Sequence, residues 1–123
     1  MNAVSPKILV VDDDATIRDI VSKMLCQLGF EVSSADSAES GLALILINKF
    51  DLVITDFSMS GMDGIQLACC IKEESPSTQV VLMTGHEKES ILSRIKDTVV
   101  DQALFKPITL AQMDATVQVL LDP

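Results

Sequence analysis

The 123-residue chain has no tryptophan and no tyrosine, and only four phenylalanines. Few rings are therefore available to stack on a flavin, and no G-x-G-x-x-G turn is present to hold a dinucleotide. Cysteine is scarce as well. Cys26, Cys69 and Cys70 are odd in number, two are adjacent, and their spacing suits neither a disulfide framework nor a zinc site. A reducing, cytoplasmic setting is expected. Basic residues are few: nine Lys and Arg stand against eighteen Asp and Glu, for a net charge of −9. Such a field repels phosphate backbones and anionic lipid, so direct nucleic-acid or membrane binding is not expected. The longest apolar run, Leu42 to Ile47, is far short of the roughly 18 residues that a membrane span needs. No basic segment leads into an apolar one at the N-terminus, so no export signal is expected. There is no internal repeat and no Gly-, Ser- or Pro-rich linker, so residues 1–123 are read as one domain.

What the chain does have is alternation. Short β-branched runs at Ile8–Val11, Leu52–Thr55 and Val80–Met83 read as buried strands, with weaker ones at Val32–Ala35 and Ala103–Phe105. Helical patterns lie between them. Ile17, Ile20, Val21, Met24, Leu25 and Leu28 recur at three- and four-residue steps and stop at Gly29, a natural residue just past a helix end. Ser37 can cap a second helix through Leu42, Ile45 and Leu46. Ile65 to Ile71 suggests a third, ending before Ser75–Pro76, and Ile91 and Ile95 mark a fourth. Thr109 and Gln112 form a capping box ahead of Leu110, Met113, Val117, Leu120 and Leu121, a final helix. Strand and helix alternating five times predicts an α/β fold whose parallel sheet is covered on both faces. Right-handed crossovers then bring all strand C-termini to one edge, where ligands bind in such sheets.

The residues that follow the strands share one chemistry. Asp12, Asp13 and Asp14 follow the first, Asp56 the third, Thr84 and Gly85 the fourth, and Lys106 and Pro107 the fifth. Each alone suits a bland role as a cap, a turn or a strand end. Together they suit phosphoryl transfer. Carboxylates gathered from two strand ends repel one another unless a cation compensates, and a hard, oxygen-seeking Mg²⁺ does so. The ion would also neutralise an incoming phosphoryl group, leaving one carboxylate free to attack phosphorus. Lys106 can pair with one phosphoryl oxygen, and the Thr84 hydroxyl can donate to another.

Four segments carry a family resemblance: KILVVDDD at the first strand, DLVITDFSMSGMDG around Asp56, VVLMTG ending the fourth strand, and LFKPIT after the fifth. From Lys7 to about Leu121 the sequence resembles the receiver domain of two-component response regulators. The resemblance implies a flavodoxin-like three-layer fold, one doubly wound five-stranded parallel sheet in order 2-1-3-4-5. It implies that Asp12, Asp13, Asp56 and the Ser58 backbone carbonyl hold Mg²⁺, with Mn²⁺ as a substitute ion. Asp56 would be phosphorylated by a sensor histidine kinase or a histidine phosphotransfer protein. Thr84, Gly85 and Lys106 would bind the phosphoryl group and switch the surface, and Lys106–Pro107 would be a cis peptide. Such a domain catalyses only its own phosphorylation and dephosphorylation. Its signal would pass to a downstream protein or a fused output domain, or drive a phosphorylation-dependent dimer. Two positions depart from the family pattern. Ser60 stands where a proline is usual, and Ala103 stands where a Tyr or Phe, three residues before the lysine, commonly relays the signal.

A rival reading comes from another class. VVDDDAT also fits the first motif of haloacid-dehalogenase-like phosphatases, with Asp12 as nucleophile followed by Asp14 and Thr16. That family needs a further acidic motif on a strand after the lysine, where this chain has only its final helix, and Asp56 would be idle. Elsewhere, His86 reads as a loop residue beside the site. Cys69–Cys70 read as small apolar helix residues, and the six methionines as core and loop filler.

Overall fold

The computed structural model describes residues 5–85 and 100–121. Five strands, β1 (Lys7–Val11), β2 (Glu31–Ala35), β3 (Leu52–Asp56), β4 (Gln79–Thr84) and β5 (Gln102–Phe105), form one sheet in order β2-β1-β3-β4-β5. Every pairing is parallel. The helices within the described residues are α1 (Ala15–Gln27), α2 (Ala38–Ile47), α3 (Gly64–Glu74) and α4 (Leu110–Leu121). The order 2-1-3-4-5 is the one that the resemblance implied. The expected helix around Ile91 and Ile95, and His86, lie outside the described residues.

Alternation along the central strands sorts the core onto two faces. Ile8, Val10, Leu52, Ile54, Val81 and Met83 pack on one side with Val21 and Leu25 of α1 and Met113 and Val117 of α4. Leu9, Val11, Val53 and Val80 pack on the other with Ala38 and Ile45 of α2 and Leu67, Ala68 and Ile71 of α3. Burial on both faces explains the unbroken apolar runs in β1, β3 and β4, while β2, at the sheet edge, keeps Ser33 and Ser34 exposed.

The helix ends follow local chemistry. Asp14 caps α1, its side chain accepting from the Thr16 and Ile17 amides, and Gly29 takes the left-handed conformation at φ 94° just past the end. Ser37 caps α2. Thr109 and Gln112 exchange bonds of 3.1 and 3.0 Å ahead of α4, as the capping box predicts. The strands run one or two residues beyond their apolar cores, because parallel pairing continues through polar ends such as Lys7↔Glu31 and Asp56↔Met83. Asp56 and Thr84 are consequently the last residues of β3 and β4 rather than loop residues, and both are buried. The α3 helix likewise starts at Gly64 and ends at Glu74, wider than its apolar stretch, because Asp63 and Gln66 form a second capping box at its start. Among the described residues no helix is long and apolar enough to cross a membrane.

Candidate functional site

β1 and β3 lie side by side in the middle of the sheet, so the residues at their C-terminal ends meet. Carboxylate oxygens of Asp12, Asp13 and Asp56 all lie within 4.8 Å of one another. Lys106, just beyond β5, reaches across: its Nζ donates to Asp56 Oδ1 at 2.7 Å and lies 3.8 Å from Asp12 Oδ2. The first distance is a charge-assisted hydrogen bond and the second only an ion pair. Among the described residues, three carboxylates and one ammonium give this cluster a formal charge of −2.

Asp12 carries most of the tension. It is completely buried. Its N–H donates to the Ala35 carbonyl at 3.2 Å, its Oδ1 accepts the Asp14 N–H at 2.9 Å, and its own carbonyl accepts from Arg18 Nη1 at 2.7 Å. Its Oδ2 is buried and has no hydrogen bond among the described residues. Burial pushes the Asp12 carboxyl above its ordinary 3.8; the Asp14 N–H opposes this, the charges of Asp56 and Asp13 add to it, and Lys106 opposes. Asp13, by contrast, is exposed. A buried carboxylate oxygen without a donor, beside two more carboxylates and a net −2, fits a hard divalent cation with oxygen ligands.

Thr84, at the end of β4, is buried and pairs with Phe105, and its carbonyl accepts the Lys106 N–H at 2.8 Å. Thr84 and Lys106 therefore flank Asp56 from adjoining strands. Gly85 is exposed with open space where a Cβ would lie, and Ser58 is exposed two residues after Asp56. The Lys106–Pro107 peptide is cis. Ala103 is half-buried opposite Leu82, while Phe105, two residues on along the same strand, packs against the cluster of Phe57 and Leu82. The aromatic on that stretch of β5 is therefore Phe105.

The rival phosphatase reading is not supported. Asp14, which it needs as a second catalytic carboxylate, caps α1, and Asp56, which it leaves idle, lies in the centre of the cluster with Lys106. Two residues escaped the sequence reading. Arg18 gave no signal, since its contact spans six residues and exists only once α1 folds back over β1. Gly64 is the other. A Cβ there would lie 2.6 Å from the Asp56 carbonyl oxygen, so the absent side chain lets α3 start directly beneath the site. The Met-Asp-Gly of the segment after Asp56 was its available signal.

Comparison with known proteins shows the family and the fold. Residues 8–118 match the response regulator receiver domain family. A probable chemotaxis protein CheY of Rhizobium etli is 32% identical over 116 residues, which are 91% of this chain and 89% of that protein. The autoinducer 1 sensor kinase/phosphatase LuxN of Vibrio campbellii is 36% identical over 89% of this chain but only 13% of its own length. Among solved structures, the chemotaxis protein CheY4 of Vibrio cholerae superposes with a TM-score of 0.89 at 28% identity, covering 96% of this chain and all of that one.

Proposed function

This chain belongs to the response regulator receiver domain family of two-component signalling, and we propose that within it Asp56 is the phosphoacceptor. The observation that carries the reading is the carboxylate cluster at the ends of β1 and β3, in which Asp56 takes the short 2.7 Å bond from Lys106. Asp12, Asp13, Asp56 and the Ser58 carbonyl hold Mg²⁺, which when bound supplies charge neutralisation for the incoming phosphoryl group. An Asp56 oxygen attacks phosphorus. The new O–P bond forms as the N–P bond of a donor phosphohistidine breaks, and that electron pair returns to the imidazole nitrogen. Lys106, now on Asp56 Oδ1, moves its hydrogen bond to a phosphoryl oxygen, and the Thr84 hydroxyl and the Gly85 segment orient another. Attack of water on the acyl phosphate reverses the state, so the domain's catalysis is confined to itself.

The donor is a sensor histidine kinase or a histidine phosphotransfer protein, in a cytoplasmic setting. The receiving partner is a downstream protein, a fused output domain or a second copy. Residues 1–123 are read as one receiver unit. Intact mass after incubation with Mg²⁺ and acetyl phosphate tests the assignment. One added phosphoryl group, about 80 Da by acyl-phosphate chemistry, is expected, with none on Asp56→Asn. Uptake by Asp56→Asn at the wild-type rate would refute it.

A further inference from the structure

Arg18 has no part in the chemistry above, yet it touches the site. It lies on the first turns of α1, half-buried, and its Nη1 donates to the Asp12 carbonyl at 2.7 Å. That carbonyl belongs to the peptide that joins Asp12 to Asp13. The preceding peptide is also tied down, because the Asp12 N–H donates to the Ala35 carbonyl of β2. The Asp12 backbone is thus clamped from two elements, and its Oδ1 is clamped by the Asp14 N–H. Only Oδ2 remains to face the cluster. The Asp13 side chain is exposed, so packing does not hold it, and the peptide that carries it sets the direction in which its Cβ projects. The carbonyl it holds belongs to the peptide between the residues that carry two of the three carboxylates.

We propose that Arg18 is a positioning residue for the divalent cation: by holding the Asp12 carbonyl it sets the Asp12–Asp13 peptide and aims both carboxylates at one point. The proposal rests on the reading of Asp12 and Asp13 as cation ligands. Two effects of Arg18 have opposite signs, which makes it decidable. As a positive charge beside the cluster, Arg18 repels Mg²⁺, and its removal alone would tighten binding. As a clamp, its removal loosens the ligand pair and weakens binding, as happens when outer-shell partners of metal ligands are lost.

The test is calorimetric titration of the full chain with MgCl₂. Arg18→Met is expected to weaken Mg²⁺ binding about tenfold. Arg18→Lys, which keeps a charge and a donor, is expected to recover most of that loss. The acetyl phosphate reaction of Arg18→Met is expected to return to within about twofold of the wild-type rate once Mg²⁺ is raised about tenfold, since the reacting groups are untouched. Tighter binding by Arg18→Met, or unchanged binding with only a lowered melting temperature, would overturn the proposal. Should Arg18→Met not fold, Arg18→Gln takes its place under the same criteria, because its shorter amide cannot span from α1 to the Asp12 carbonyl. Asp13→Asn separates the two levels. If it binds Mg²⁺ as the wild type does, the reading of the metal ligands fails and the proposal with it. If it does not, and Arg18→Met still binds normally, only the clamp fails.

Discussion

Replacing Gly64 with Ala adds a single methyl group at the first residue of α3, and the surroundings leave it no room. The new Cβ would lie 2.5 Å from Leu82 Cδ1, 2.6 Å from the Asp56 carbonyl oxygen and 3.1 Å from Phe57 Cα. A carbon rests at about 3.3 Å or more from a carbonyl oxygen, so the helix start must retreat by roughly 0.7 Å. Neither neighbour yields easily, since one is strand backbone and Leu82 is fully buried. Overpacking of this kind costs about 1–3 kcal/mol. The upper half applies where main chain is the obstacle, and the helix preference of Ala over Gly returns less than about 1 kcal/mol. A net loss of about 2 kcal/mol is expected, which in a domain of this size lowers the melting temperature by about 5–10 °C. The retreat also stretches the 2.9 Å bond from the Gly64 N–H to the Phe57 carbonyl, the contact that ties the end of β3 to α3. Thermal melts by circular dichroism give the stability change, and the acetyl phosphate rate reports on Asp56. Gly29→Ala is the comparison, because there φ is 94° with nothing within 4 Å, so it loses backbone ease without crowding. A Gly64→Ala melt within 1 °C of wild type would refute the packing argument.

Two further outcomes follow from the same contacts. Asp12 titrates above 3.8 when folded, so the folded chain holds this proton more tightly than the unfolded one, and its contribution to stability is full below pH 3.8 and lost as pH rises through the folded value. In urea melts in metal-free buffer between pH 3.5 and 7, the wild type is expected to lose stability relative to Asp12→Asn as pH rises, and an equal slope in both proteins would contradict it. Thr109→Ala, which deletes the hydroxyl that accepts the Gln112 N–H at 3.1 Å, is expected to destabilise by about 1 kcal/mol without altering phosphorylation, measured by melts and intact mass.

The parts of this molecule legible in its sequence are those where a local pattern and the fold ask for the same thing. The apolar runs of β1, β3 and β4 are buried on both faces, and their composition needs no other explanation. The capping box of α4 was legible because Thr109 and Gln112 stand three residues apart before an apolar helix. The same arrangement at Asp63 and Gln66 was not singled out, though its signal is equivalent, and α3 consequently starts earlier than its apolar residues suggest. Asp14 belongs to an acidic trio in the sequence, where the resemblance leaves it out of the ion's ligands, and the backbone geometry gives the reason by turning its carboxylate onto its own helix. Ala103 marked a missing ring, but the period of a strand puts residue 105 on the same face as 103, and there Phe105 packs against Phe57 and Leu82. What stayed out of reach, Arg18 on a carbonyl and Gly64 beneath another, depends on backbone groups, which every residue carries alike.

The site also shows how folding and ligand binding divide one electrostatic cost. Among the described residues Lys106 is the cluster's single ammonium, and it favours Asp56 at 2.7 Å over Asp12 at 3.8 Å. Among the described residues the fully buried carboxylate, Asp12, is left without a hydrogen bond on Oδ2, while the exposed Asp13 costs little in water. Packing holds Asp12 there, because Val11 before it is locked between β2 and β3 in the centre of the sheet. A divalent cation on these carboxylates would relieve a penalty that the metal-free chain must otherwise carry. Part of the binding energy then derives from the instability of the empty cluster, and part of the chain's stability becomes a function of cation concentration. On the proposed reading, transfer of a phosphoryl group onto Asp56 would draw Lys106 away from its short bond, so the same ammonium that compensates the resting cluster would become a phosphoryl ligand. Stability, cation binding and phosphorylation would then be coupled through one lysine and one buried oxygen, and a change at either would be felt by all three.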